Sequence, residues 1–129
     1  WQHAQGPIMI YMADCGGPCN KWDGLGKRWF KIWESGYHKS EENWPTNGGR
    51  KVWKRFDLVD TGMNMTIPKA LKPGYHLIRH DIINIEASLQ PFSNCAQLEV
   101  SGNGDKLSGD EYLVEFPGPY KLDDPGIYV

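Results

Sequence analysis

Between His76 and Val100 the chain reads HLIRHDIINIEASLQPFSNCAQLEV, a stretch that gathers several side chains with chemical potential. Two histidines (His76, His80), the acid pair Asp81 and Glu86, the Gln90-Pro91-Phe92 step and Cys95 share 25 positions. A pair of carboxylates held across a cleft can hydrolyse a glycosidic bond, but only at a defined separation. Nothing in the spacing of Asp81 and Glu86 places them across one cleft. Cys15 and Cys19 flank Gly-Gly-Pro. That loop can close on itself as a disulfide, its glycines permitting the fold-back, or it can be half of a zinc site. No second Cys/His pair at ligand spacing follows, which favours the disulfide and an oxidising compartment. Cys95 is then an odd thiol, either buried or paired with chain not present in this sequence.

The elements that must hold these residues are short. Pro7–Ala13 is an apolar run bounded by glycines and reads as a buried strand, and Arg28–Trp33 reads as a second. Met63–Pro68 is expected to be a strand ended by proline. Lys51–Val59 reads as a strand or an extended loop, and Glu34–Asn47 as a long surface loop. A turn at Pro73-Gly74 leads into a strand from Tyr75 to about Ile83. Ala96, Leu98 and Val100 alternate with Gln97 and Glu99, the period of a half-buried strand. No capped amphipathic helix is visible beyond one turn near Lys69. With 15 glycines and 9 prolines in 129 residues, this is one all-β domain, 1–129, a β-sandwich with long loops.

Composition narrows the partners. Fourteen basic against sixteen acidic residues give a net charge of −2, so no nucleic-acid footprint or polybasic membrane patch is expected. No apolar run approaches the roughly 20 residues of a membrane span. The first residues carry neither a positive n-region nor a cleavage site, so no leader is expected within this sequence. The six tryptophans are expected to be mostly core, with one or two forming a flat surface on which sugar rings stack. Asn64-Met65-Thr66 is an N-glycosylation sequon, meaningful in a secreted protein.

The blocks GPIMIYMADC, KRWFKIWESG, MTIPKALKPGYHLIRHDIINI, QPFSNCAQLEVSGNG and FPGPYKLDDPGI occur in an order that resembles the fungal lytic polysaccharide monooxygenases of auxiliary activity family nine. The resemblance covers nearly the whole chain and about the last three fifths of such a domain. It implies a fibronectin- or immunoglobulin-like sandwich, a secreted monomer, cellulose or a related β-glucan as substrate, an electron donor, and copper. The family's copper sits in a brace made by an N-terminal histidine and a second histidine, three nitrogens suited to the metal's tetragonal preference. The N-terminal histidine has no counterpart here. His3 is the candidate for the second, although Ala4 and Gln5 both separate it from Gly6 where the family has one residue; a terminal residue with no metal role is the competing reading. Gln90 matches a glutamine at the oxygen site. Phe92 stands where the family commonly has an axial tyrosine. Glu86 stands where it has a histidine, and a carboxylate cannot donate a hydrogen bond unless protonated; an exposed loop glutamate is the competing reading. His80 matches a structural histidine, expected to have a satisfied hydrogen bond. Cys15 and Cys19 match a short-loop disulfide, and Cys95 a cysteine whose partner lies in the leading segment. The departures leave a second class of function, a non-catalytic polysaccharide-binding or remnant module.

Overall fold

The computed structural model describes residues 5–37, 53, 58 and 61–127. Its strands are β1 (Ile8–Asp14), β2 (Trp29–Ser35), β3 (Gly74–Asn84), β4 (Gln90–Val100) and β5 (Leu113–Val114). They form one sheet in the order β4-β3-β1-β2-β5, and every pairing is antiparallel. β1 is central, with Ile8, Ile10, Met12 and Ala13 at most 1% exposed. A strand covered on both faces needs no polar alternation, which is why IMIYMAD reads as a continuous apolar run.

The two faces carry separate cores. Met9, Tyr11, Ala13, Trp29, Ile83, Phe116 and Ile127 pack on one. Met12, Phe30 and Leu71 pack on the other, joined by Ile78, Leu98 and Val100. Leu98 and Val100 are half-buried against exposed Gln97 and Glu99, so the expected alternation holds there, whereas Ala96 is exposed like the rest of β4 from Gln90 to Gln97. Trp29, Phe116, Tyr120 and Tyr11 meet edge-on or tilted, the arrangement that aromatic quadrupoles favour.

Met63–Pro68 is not a strand. The segment is irregular, with Met63 and Met65 half-buried and its other residues exposed. Its alternation is right for a strand, but a strand also needs a neighbour to complete its ladder, and no described strand pairs with it. The expected helical turn near Lys69 is a turn closed by Leu71 N–H donating to Pro68 O. Most of Lys51–Val59 and of Glu34–Asn47 lies outside the described residues, but Glu34 and Ser35 belong to β2, paired with Met9 and Ile8, rather than to the expected loop.

Candidate functional site

Three elements converge at one end of the sheet. Ahead of β1, Gln5 and Pro7 offer their carbonyls to the N–H groups of Ile85 (3.3 Å) and Ile83 (3.0 Å), so the incoming chain runs against the end of β3. Gly6 makes this approach possible. Its φ is +125°, and a Cβ there would lie 1.7 Å from the Ile83 carbonyl oxygen. Only glycine fits such a contact.

Across from it, Asn84 closes the β3–β4 connection. It is 2% exposed and pairs with Gln90 across the ladder. Its Nδ2 donates to Gln90 Oε1 at 3.1 Å, and its Oδ1 accepts from Glu86 N–H at 3.2 Å. One buried amide thus fixes the Gln90 side chain and the Glu86 backbone together. Sequence reasoning missed Asn84; its signal was a polar residue closing an otherwise apolar strand just before a short loop. Glu86 is exposed. Phe92 lies one rung in from Gln90 on the same face of β4, 39% exposed and opposite Ile82. Gln90 and Glu86 are thus brought to one place, with Phe92 beside them. His3 lies outside the described residues.

A second polar cluster crosses the sheet's other face. Asp81, fully buried, receives Arg79 Nε at 2.9 and 3.1 Å and the Tyr120 hydroxyl. Arg79 Nη2 also donates to Ser93 Oγ at 2.7 Å, and its guanidinium lies 3.8 Å from the Phe116 ring centroid. A buried carboxylate is tolerable only with such partners. Burial, reinforced by the Asp81 and Tyr11 hydrogen bonds, pushes the Tyr120 hydroxyl far above its ordinary range. Burial also raises Tyr11, partly offset by its bond to Tyr120. His80 was expected to have a satisfied hydrogen bond; instead its buried Nε2 meets no partner among the described residues. Burial lowers its pKa, against an opposing pull from Asp81.

The predicted disulfide is present: Cys15 and Cys19 are bonded at 2.05 Å with Cα atoms 5.1 Å apart. Cys95 is a free thiol, and it is exposed. The described tryptophans make no flat stacking surface. Trp29 and Trp53 are buried, while Trp22 and Trp33 are half-buried. Trp22 lies under the Arg28 guanidinium at 5.2 Å. Asn64 is exposed, as a glycosylated asparagine must be.

The profile of Auxiliary Activity family 9 (formerly GH61) matches residues 1–129. The chain belongs to that family. It is 36% identical over 133 residues to AA9 family lytic polysaccharide monooxygenase B of Heterobasidion irregulare (strain TC 32-1), covering 100% of this chain and 52% of that protein. It is 32% identical over 142 residues to AA9 family lytic polysaccharide monooxygenase D of Thermothelomyces thermophilus, covering 98% and 52%. Among solved structures, the crystal structure of HiLPMO9B superposes with a TM-score of 0.79 at 33% identity, covering 98% of this chain and 56% of that one. A cellulose-active polysaccharide monooxygenase from M. thermophila also gives 0.79 at 33%, covering 98% and 58%. The chain therefore spans about half the length of these relatives. Their immunoglobulin-like sandwich is its fold class, and the sheet above is its contribution to it.

A copper ion does not fit on the described residues alone. Among them no group of three or more His, Cys, Asp or Glu could hold a metal. Asp81 is committed to Arg79 and Tyr120.

Proposed function

We propose that the protein bearing this chain cleaves cellulose or a related β-glucan oxidatively, with copper and an external electron donor, as its resemblance to lytic polysaccharide monooxygenases implies. The observation that carries this is the family match along all 129 residues, in a chain whose Gln90 is held in place by Asn84. In this reading residues 1–129 act as one structural unit of the family's catalytic domain. His3 is the metal ligand this chain supplies, and the other donors come from beyond the described residues. The described side chains do not themselves make the metal's site.

The chain's own residues still have chemical roles. With Oε1 committed to Asn84, Gln90 presents Nε2 as a donor to an oxygen of the substrate or oxidant. Phe92 supplies an apolar wall, and Glu86 an acceptor at the rim. The protein is secreted, in keeping with the Cys15–Cys19 disulfide. Its exposed Asn64 carries an N-glycan. Among the described residues no helix is long and apolar enough to cross a membrane.

Calorimetric titration of the native protein with Cu(II), followed by mass spectrometry of amorphous cellulose treated with the copper-loaded protein and a reductant, tests the proposal. Sub-micromolar binding and oxidised oligosaccharides are expected. A protein that takes up no copper and leaves cellulose unoxidised overturns it; retention on cellulose without either signal points to a binding module.

A further inference from the structure

At the end of β3 a backbone group settles the polarity of two side chains in turn. The Glu86 N–H is a main-chain donor and can meet only an acceptor, so the Asn84 atom 3.2 Å from it is Oδ1. Asn84 Nδ2 must then point the other way, and it lies 3.1 Å from the Gln90 side chain. An amide NH2 group donates and does not accept, so the Gln90 atom that meets it is Oε1. Gln90 turns Nε2 to the opposite side. Any other orientation of either amide sets two donors or two acceptors against each other.

Asn84 is held where this relay needs it. The N–H groups on either side are pinned, Ile83 to the Pro7 carbonyl at 3.0 Å and Ile85 to the Gln5 carbonyl at 3.3 Å. Asn84 and Gln90 are partners across the β3–β4 ladder. At 2% exposure Asn84 has almost no access to water as a substitute partner, so breaking either bond leaves a buried polar atom unpaired.

We propose that Asn84 is a positioning and specificity-determining residue: it fixes Gln90 as a hydrogen-bond donor, so that this point of the site takes an oxygen that accepts and disfavours a group that must donate. The proposal rests on the oxidative reading above and locates the choice between donor and acceptor in Asn84 rather than in Gln90 itself. The ligand chemistry is an acceptor oxygen, carried either by a peroxide oxidant or by the glucan.

Asn84→Asp keeps the shape and reverses the logic. One carboxylate oxygen still accepts from the Glu86 N–H. The other now faces Gln90 as an acceptor, so the Gln90 amide turns over, gives Nε2 to the carboxylate and presents Oε1 to the site. Asn84→Ala imposes neither orientation.

Side-chain amide NMR of the 15N-labelled full-length protein in mildly alkaline buffer, with ascorbate keeping any bound copper diamagnetic, reads this polarity whether or not glucan is cleaved. In Asn84→Asp one Gln90 Nε2 proton is expected to move downfield and to exchange with solvent about tenfold more slowly than in the native protein, and in Asn84→Ala to do neither. Gln90→Glu gives a second reading without a charge at position 84: the Asn84 Nδ2 protons are expected to stay slow to exchange and to move downfield against the new carboxylate. Unchanged Gln90 protons in Asn84→Asp, or Asn84 protons indifferent to Gln90→Glu, overturn the proposal. With hydrogen peroxide and a soluble cello-oligosaccharide, Asn84→Asp is expected to lower kcat/KM about tenfold and by more than Asn84→Ala. A rise in the KM for peroxide assigns the acceptor oxygen to the oxidant, and a rise in the KM for the oligosaccharide assigns it to the glucan. An Asn84→Asp protein as active as Asn84→Ala overturns the specificity role. Amide shifts as expected in a native protein that cleaves no glucan sink the oxidative reading alone.

Discussion

His80 sits on β3 with its Nε2 buried and without a partner among the described residues, and burial depresses its pKa. Above about pH 6.5, the ordinary histidine value, it is neutral whether the chain is folded or not, and stability does not depend on it. As pH falls through that value the unfolded chain takes up a proton that the folded chain refuses, so stability falls until the folded pKa is reached. Thermal unfolding followed from pH 7.5 to 5 is expected to show a declining Tm, with a shallower decline in His80→Gln. Gly6 gives a second test at this scale. Gly6→Ala drives a Cβ into the Ile83 carbonyl at a φ that alanine rarely adopts. A loss of about 3 kcal/mol or more is expected in denaturant titration, if the variant folds at all. The glycine before the first strand was visible in the sequence as a boundary. Its real task, a close backbone approach, was not, because the partner carbonyl lies 77 residues away.

Between β3 and β4 the connection depends on Asn84. Asn84→Ala removes two hydrogen bonds from a nearly buried site and frees the Gln90 side chain. The expected loss is about 1–3 kcal/mol by chemical denaturation, with faster amide exchange at Glu86. The Cys15–Cys19 loop is short, so its closure constrains the unfolded chain only modestly. Cys15→Ser with Cys19→Ser is expected to cost about 2 kcal/mol in the same measurement. β1, β2, β3 and the second half of β4 were legible from apolar runs and alternation. Met63–Pro68 shows the limit of that signal, since alternation reports which side chains can face a core but not whether a neighbouring strand is there to pair. The two-residue β5 is too short to have a period at all.

For the molecule as a whole, charge decides how a polysaccharide surface would be met. The net charge is −2 and cellulose is neutral. Adsorption to microcrystalline cellulose is therefore expected to be unchanged between 20 mM and about 500 mM salt, a range over which electrostatic binding would collapse. A pull-down quantified across that range measures it. The sheet architecture was readable because burial imposes a pattern on sequence over many residues. The candidate site was readable only in part. Gln90 and Phe92 stand out by their place in a motif, whereas the positioning amide of Asn84 acts on a residue six positions away and leaves no periodic trace. His3 lies outside the described residues.

The central place of β1 has a consequence for biosynthesis. This strand precedes both of its neighbours in the chain, and β3 begins only at Gly74. During translation, the almost wholly apolar Ile8–Asp14 thus waits with its β3 edge unpaired while some sixty further residues are added. Such a segment can aggregate with its like until its own partners arrive. Yield of native material should then depend on how well nascent chains are shielded during that interval, by chaperones or by slow, cool expression.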